Sequence, residues 1–208
     1  MFDEQSWEER YAVADALWSG QPNQHLVTDT ADLTPGRALD AGCGEGADSI
    51  WLAERGWRVT GVDFATLALR RAAEHAAARG VGGKIDWKHA DLTTWTPPVQ
   101  EFDLVTAHFL HLPPAVRDPL YQRLADAVAP GGTLLIVAHH PEDMHGPVAR
   151  PHAPEMFFTA EQVVDLLDLT GWDLQAVDAR ARQARGHEGD GITVYDTVLR
   201  ARRSYGTG

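Results

Sequence analysis

The sequence predicts an α/β fold with a mostly parallel, doubly wound sheet. From residue 36 onward, short apolar runs typical of buried strands alternate with longer segments of helical apolar spacing. A glycine-rich turn at residues 42–46 follows the first run and precedes a helical segment. Because parallel strands need right-handed crossovers, this alternation places helices on both faces of the sheet.

The regular elements can be placed in chain order. The strand candidates are residues 37–41, 57–62, 84–89, 102–107 and 132–138. The helix candidates are residues 46–55, 65–79, 115–128 and 159–169. Residues 172–180 and 191–201 favour extended structure on either side of a glycine-containing loop, so we predict a terminal β-hairpin that closes one edge of the sheet.

The two ends of the alternating region differ from it. Residues 5–18 have helical apolar spacing, and turn-forming residues at 19–23 end that segment. Residues 138–158 contain four prolines and four histidines and lack a regular pattern. A connection this long in a compact domain is usually functional or mobile. We therefore expect residues 139–208 to hold a substrate-side loop and the terminal hairpin.

Composition favours a single intracellular domain spanning residues 1–208. The net charge of -12 disfavours a nucleic acid partner, because the surface repels a phosphate backbone. No apolar run reaches membrane-spanning length, and the acidic N-terminus lacks a signal-peptide pattern. The single cysteine fits a reducing compartment. We expect a cytoplasmic protein that binds neither nucleic acid nor membrane.

The glycine-rich turn predicts a nucleotide-type cofactor. Gly42-x-Gly44-x-x-Ala47 fits the dinucleotide fingerprint, and Asp63 lies 21 residues after Gly42, where that fingerprint places a ribose-binding acid. Taken alone, these residues leave a nicotinamide or flavin cofactor open. A strand, such a turn and a helix N-terminus together form a binding site at the carboxyl edge of a parallel sheet.

Three carboxylates shift the balance toward a cationic cofactor. Asp40 precedes the first glycine, where its charge disfavours a pyrophosphate and favours an ammonium or sulfonium group. Asp63 ends the second strand and can accept both hydroxyls of a ribose. Asp91 follows the third strand, where it can accept from an adenine amino group.

Together these residues resemble the class I S-adenosylmethionine-dependent methyltransferases over residues 36–138. The resemblance implies the strand order 3-2-1-4-5-7-6 with an antiparallel last strand, S-adenosylmethionine as cofactor and S-adenosylhomocysteine as product. It also includes the turn at residues 130–132 before the fifth strand. The expected cofactor-binding residues are Trp18, Asp40, Gly42, Cys43, Gly44, Gly46, Asp63, Phe64, Asp91, Leu92 and Ala107.

Both ends of the chain look like those of tellurite-resistance and thiol methyltransferases. In those proteins the N-terminal segment folds over the cofactor, which implies a helical cap at residues 1–30 on a Rossmann-like methyltransferase core at residues 36–138. The segment 139–154 departs from that pattern. The resemblance therefore leaves the acceptor open.

Histidines cluster where the methyl acceptor is expected. His108 and His111 end the fourth strand, and His139 and His140 end the fifth. A histidine there can act as a general base, ligate a metal or shape the pocket. No metal-ligand motif accompanies them, so we expect no metal. The catalytic candidates are His108, His139 and His140.

The predicted function is methyl transfer to a small molecule through a thiol or chalcogen, a hydroxyl or an amine, by a monomer or homodimer. One alternative is a Rossmann-type NAD(P)-binding oxidoreductase, although the sequence lacks a Tyr-x-x-x-Lys pair. Another is a non-catalytic protein that binds S-adenosylmethionine. A nucleic acid methyltransferase is disfavoured by the net charge of -12.

Overall fold

The computed structural model describes residues 4–13, 19–145, 153–185 and 191–205. Its seven strands form one sheet in the order β3-β2-β1-β4-β5-β7-β6. The strands are β1 (Arg37–Ala41), β2 (Arg58–Asp63), β3 (Ile85–His89), β4 (Phe102–His108), β5 (Val128–His139), β6 (Trp172–Arg185) and β7 (Gly191–Arg203). β7 pairs antiparallel with both β5 and β6, while the other pairs are parallel. The predicted fold class and strand order are confirmed.

Helices connect the parallel strands. They are α1 (Glu4–Ala12), α2 (Gln24–Asp29), α3 (Ala47–Glu54), α4 (Thr66–Ala78), α5 (Pro114–Ala127) and α6 (Ala160–Leu166), with 3-10 turns at Gly82–Lys84, Pro141–His145 and Pro154–Met156. The N-terminal helix was predicted at residues 5–18, and α1 covers this segment up to Ala12. Residues 14–18 lie outside the described residues. α6 begins after Thr159, whose side chain forms a capping box with Gln162.

The core has two layers because successive strand residues point to opposite faces. Leu39 and Val105 pack with α5 and α6 in one buried cluster. Their neighbours Ala38 and Leu104 pack with α2 and α3 in another. The apolar runs of the central strands therefore reflect burial on both faces, as expected for parallel strands between helices.

β5 begins earlier than predicted, at Val128. The predicted turn at residues 130–132 lies inside this strand, where Gly131 has φ +80°. Phe102 pairs with Val128 but Leu104 pairs with Thr133, so β5 carries extra residues beside β4. This irregularity is a bulge, which allows the strand to continue through a sequence that reads as a turn.

The terminal hairpin extends beyond the sheet. β6 and β7 stay paired out to Arg185 and Gly191, whereas β5 pairs with β7 only as far as His139 and Asp196. The hairpin arm, residues 181–185 and 191–195, thus projects past the end of β5. The backbone of Tyr195 in this arm bonds to His140 and Asp143 in the segment that follows β5.

Candidate active site

A cavity of about 890 Å³ lies beyond the carboxyl ends of β1, β2 and β4. Its wall is formed by residues 42–45 of the glycine loop (residues 42–46), by α1, by the turn at residues 19–23 and by the residues that follow β3 and β4. This is the edge of a doubly wound sheet at which ligands bind.

The glycine loop owes its shape to backbone conformations that favour glycine. Gly42 has φ +76° and Gly46 has φ +83°, both in the left-handed region. A Cβ at Gly42 would collide with Leu110, and one at Gly46 would lie 2.6 Å from Trp87 and 2.9 Å from Ala72. The absence of a side chain at Gly42 therefore leaves room for Leu110, and its absence at Gly46 lets the loop pack against α4 and β3.

Asp63 ties the end of β2 to this loop. One carboxylate oxygen accepts from the Gly44 N–H at 2.9 Å, and the other accepts from the Ala65 N–H at 2.9 Å. Burial raises the pKa of Asp63, against the effect of these backbone bonds. Each carboxylate oxygen has lone pairs left for a further donor, and Asp63 lines the cavity. It is therefore placed to accept from ligand hydroxyls.

Asp40 is a buried acid beneath the loop. The Ser49 hydroxyl donates to it at 2.6 Å, and the Thr106 hydroxyl lies 3.3 Å from its other oxygen. Burial, together with the nearby charge of Asp48, raises the pKa of Asp40 to about 6. A cationic ligand in the cavity would favour the ionised form of this group, whereas a pyrophosphate would oppose it.

The opposite wall is more apolar. Phe64 and Leu92 line the cavity together with Trp7 of α1. Asp91 lines it too, and its carboxylate accepts from the Thr93 N–H at 2.8 Å. Asp91 thus stabilises its own turn and keeps acceptor capacity for a ligand amino group.

The thiol of Cys43 lies in the cavity wall but is not activated. Burial raises its pKa well above the ordinary value, and the carboxylate of Asp40 adds to this effect. The thiol therefore stays protonated near neutral pH.

His108 lines the cavity at the end of β4. Its Nδ1 lies 2.7 Å from a carboxylate oxygen of Asp48, in the first turn of α3. The other oxygen of Asp48 accepts from the Asn23 N–H at 2.6 Å. Phe109, the next residue, has φ +52°, a conformation uncommon for an aromatic residue. The sequence analysis missed Asp48, although an acid directly after a glycine loop could have indicated it.

Four predicted site residues do not reach the cavity. Among the described residues that form its wall, His139, His140, Ala107 and Gly46 are absent. His139 packs against Phe109, with ring centroids 4.7 Å apart. The His140 N–H donates to the backbone of Tyr195 at 3.2 Å. Ala107 is fully buried in the sheet, because this strand is covered on both faces. Trp18 lies outside the described residues.

A buried ionic network lies beside the end of β5. Asp196 of β7 is fully buried; it accepts from Arg182 and lies 3.1 Å from the Nε2 of His25. Burial raises the pKa of Asp196, but bonds from His25 and Arg182 outweigh it and leave the pKa lowered. The sequence analysis missed this network, although an acid between the apolar residues of β7 could have indicated it.

The residues present fit S-adenosylmethionine. The cavity offers carboxylates with spare acceptor capacity at Asp63 and Asp91, an apolar wall at Phe64 and Leu92, and a buried acid at Asp40. In the described part of the chain, no group of three or more histidine, cysteine, aspartate or glutamate side chains is arranged to hold a metal ion. No helix in the same residues is long and apolar enough to cross a membrane.

Comparison with known proteins agrees with this arrangement. Residues 38–132 match the family model described as a methyltransferase domain. The chain is 36% identical over 135 residues to trans-aconitate 2-methyltransferase of Streptomyces avermitilis, an alignment that covers 62% of this chain and 49% of that protein. It is 33% identical to 2-heptyl-1-hydroxyquinolin-4(1H)-one methyltransferase of Mycobacteroides abscessus, over 67% of this chain and 65% of that protein. The alignments thus span between about half and two thirds of these curated relatives.

A solved structure shows the same fold. The 1,6-didemethyltoxoflavin-N1-methyltransferase of Burkholderia thailandensis, with bound S-adenosylhomocysteine, superposes with a TM-score of 0.69 at 19% identity, covering 97% of this chain and 87% of that one. Together with the observed strand order, these relatives and the methyltransferase-domain match over residues 38–132 support a class I S-adenosylmethionine-dependent methyltransferase.

Proposed function

We propose that this chain transfers a methyl group from S-adenosylmethionine to a small-molecule acceptor. The observation that carries the proposal is Asp63, held by the Gly44 N–H at 2.9 Å in the wall of an 890 Å³ cavity. Two relatives named for small substrates, trans-aconitate and a hydroxyquinolinone, support the choice of acceptor class.

The proposed function assigns a role to the cavity residues described above. Asp63 accepts hydrogen bonds from the ribose hydroxyls, and Asp91 accepts one from the adenine amino group. The adenine ring packs against Phe64 and Leu92. The glycine loop (residues 42–46, including the Cys43 backbone) and Asp40 face the methionine part. The cofactor supplies a methyl group on a positively charged sulfur. The protein supplies orientation, which can lower the barrier by several kcal/mol.

The N-terminal segment acts as a cap. Trp7 and Tyr11 line the cavity, and the Glu8 carboxylate accepts from the Leu67 N–H of α4 at 3.2 Å. A cap that excludes water strengthens electrostatic interactions inside the site. In this proposal residues 1–30 form the cap, residues 36–138 the cofactor-binding core and residues 139–208 the acceptor side.

The oxidoreductase alternative is less well supported. Asp40 is only 2% exposed and lies directly beneath the glycine loop, where a carboxylate opposes a pyrophosphate. The matched family and the relatives are methyltransferases. A non-catalytic cofactor-binding protein is distinguished from an enzyme by turnover.

Turnover is measured as S-adenosylhomocysteine formed with a panel of small acceptors. We expect acceptor-dependent product with the wild-type protein and strongly reduced product with Asp63→Ala at a cofactor concentration that saturates the wild-type protein. Asp86→Ala, at an exposed aspartate of β3, is the control and keeps wild-type turnover. Cofactor binding without product for any acceptor would contradict the enzymatic proposal and favour the non-catalytic alternative.

The remaining properties stay proposals. The net charge of -12 supports an absence of nucleic acid partners. The single cysteine, free and buried, suits a reducing compartment and hence the cytoplasm. We expect a monomer or a homodimer, which sedimentation would distinguish.

A further inference from the structure

We propose that His108 is the general base of the transfer, that Asp48 positions it, and that the acceptor is therefore a hydroxyl or an amine. This inference rests on the proposed function and narrows it. A thiol is substantially ionised near its pKa of about 8.5, and a carboxylate is ionised at neutral pH, so neither needs a base. A hydroxyl or amine acceptor does.

The contact with Asp48 sets the tautomer of His108. An ionised carboxylate only accepts hydrogen bonds, so the 2.7 Å contact places a proton on Nδ1 of the imidazole. The neutral ring then carries its lone pair on Nε2. Orientation of a histidine through one ring nitrogen by a carboxylate, leaving the other as a base, is a recurring catalytic arrangement.

Asp48 is itself held on both sides. One oxygen accepts from the Asn23 N–H at 2.6 Å, and the other faces His108. Asp48 lies in the first turn of α3, where the helix dipole favours a negative charge. The carboxylate is 16% exposed and His108 is 6% exposed, so both rotamers are restricted by packing. Because Asn23 belongs to the turn after the N-terminal segment, the base is tied to the cap of the cavity.

Within the part of the chain that the structure describes, the Nε2 of His108 has no hydrogen-bond partner. It is buried, and none of the described residues lies within hydrogen-bond distance of it. A buried polar atom without a partner destabilises the folded state, and such atoms in native proteins often have a functional reason. His108 belongs to the cavity wall. In this proposal, a donor on the ligand supplies the missing partner. Among the candidate acceptor groups, a hydroxyl or an amine carries an O–H or N–H that can donate a hydrogen bond to Nε2.

The proposed step balances in atoms and charge. The proton of the acceptor O–H or N–H moves to Nε2 of His108, and the freed lone pair on oxygen or nitrogen forms the bond to the methyl carbon. The carbon–sulfur bond breaks, and its electron pair stays on sulfur, which becomes neutral. The imidazolium formed faces two carboxylates, Asp48 from α3 and Asp40 from β1, which stabilise its charge. The proton then passes to solvent.

The first test needs no acceptor. Nitrogen-15 NMR of the histidine rings in the ligand-free protein reports which nitrogen carries the proton. We expect His108 to be protonated on Nδ1 and not on Nε2 above its pKa, and Asp48→Asn to reverse this preference. A neutral His108 protonated on Nε2 in the wild-type protein would overturn the inference. The folded state of each variant is checked by its thermal unfolding curve.

The second test compares acceptors that still carry an O–H or N–H proton at neutral pH with acceptors that are already ionised. The probes are catechol and benzylamine on one side, and thiophenol and trans-aconitate on the other. His108→Gln should lower kcat for catechol or benzylamine by about 100-fold or more, and Asp48→Asn by at least about 10-fold. The dissociation constant for S-adenosylmethionine should change by less than about threefold. His89→Gln and Asp86→Asn, at exposed positions of β3, are matched controls and should keep wild-type kcat.

The outcomes separate this inference from the proposed function. Failure of the wild-type protein to bind S-adenosylmethionine would sink the proposed function. Cofactor binding with transfer only to thiophenol or trans-aconitate would overturn the base assignment alone, whereas cofactor binding with transfer to no probe would overturn both the base assignment and the enzymatic proposal. Equal losses for all probes in His108→Gln would also overturn it, because a purely structural role affects every acceptor.

Discussion

The two sides of the candidate site are built differently: one is the cofactor half of the cavity wall, and the other is the acceptor half together with the buried network beside it. The cofactor half, at the ends of β1, β2 and β3, uses residues close in sequence to the strand that positions them; Asp63, for example, bonds to Ala65, two residues away. The acceptor half, at the ends of β4 and β5, uses side chains brought together over long distances in sequence. His25 contacts Asp196, 171 residues away, and Asp48 contacts His108, 60 residues away.

The halves also differ in electrostatics. Carboxylates of the cofactor half accept from backbone N–H groups and hydroxyls, while burial raises the pKa of Asp40 and Asp63. Carboxylates of the acceptor half face histidine and arginine side chains. The first arrangement suits a cationic ligand. The second arrangement suits proton transfer and restricts the side chains that take part in it. The comparison implies that damage to the acceptor half costs more stability, and damage to the cofactor half costs more affinity.

The largest expected effect on stability is in the buried network of the acceptor half. Asp196→Ala leaves His25 and Arg182 without their shared carboxylate, and breaking such a buried pair typically costs about 3–5 kcal/mol of unfolding free energy. Urea unfolding of the variant measures this loss. Asp178→Ala, at a half-exposed residue of the same hairpin, is the matched control and should cost less than about 1 kcal/mol. Similar losses for both variants would contradict a stabilising role of the buried network.

The second effect tests the shape of the glycine loop. Gly46→Ala places a Cβ 2.6 Å from Trp87 in a residue with φ +83°, so we expect a loss of about 3 kcal/mol from strain and overpacking together. Gly80→Ala, with φ +71° but no atom within 4 Å of its Cβ, should lose only about 1 kcal/mol. Thermal unfolding of both variants gives the comparison, and equal shifts in Tm would argue against a packed loop.

The third effect depends on pH. Burial and Asp48 raise the pKa of Asp40 from 3.8 to about 6, so between these values the folded protein holds a proton that the unfolded chain has lost. Wild-type stability should therefore carry a component that falls as pH rises from about 4 to about 6, by up to about 3 kcal/mol. Asp40→Asn should remove this component. The unfolding free energies of both proteins, measured across that range, test the sign; a parallel pH dependence would contradict it.

The smallest effect concerns the cap. Trp7→Ala removes an aromatic wall of the cavity and should weaken S-adenosylmethionine binding about three- to tenfold, or roughly 1 kcal/mol. Val13→Ala, at a residue that is 87% exposed beyond the same helix, is the control and should bind normally. Calorimetric titration measures both. Unchanged affinity for Trp7→Ala would place α1 outside the binding site.

The position of the cofactor half in the fold could be predicted from the sequence for a physical reason. Glycine spacing, strand-ending acids and apolar periodicity are local signals, and parallel strands bring their carboxyl ends to one edge. Asp40, Asp63 and Asp91 therefore fall on the cavity as expected. The strand order was available through family resemblance, which the topology confirms.

The acceptor half was harder to predict because its contacts cross the fold. A histidine at a strand end can face the cavity or the core, and only the packed structure separates His108 from His139. Asp48 and Asn23 form their link through folding, and nothing in either local pattern indicates the other. The bulge in β5 was likewise hard to predict, because it depends on how β5 pairs with β4. The sequence of residues 130–132 taken alone is typical of a turn.

The most direct test of the central claim is calorimetric titration of the wild-type protein and Asp63→Ala with S-adenosylmethionine, S-adenosylhomocysteine, NAD and NADP. The account predicts micromolar binding of the two sulfur compounds alone, and a loss of about 30-fold or more in Asp63→Ala, as expected when charge-assisted hydrogen bonds worth roughly 2 kcal/mol are removed. Binding of NAD or NADP in place of S-adenosylmethionine, or unchanged affinity in Asp63→Ala, would contradict it.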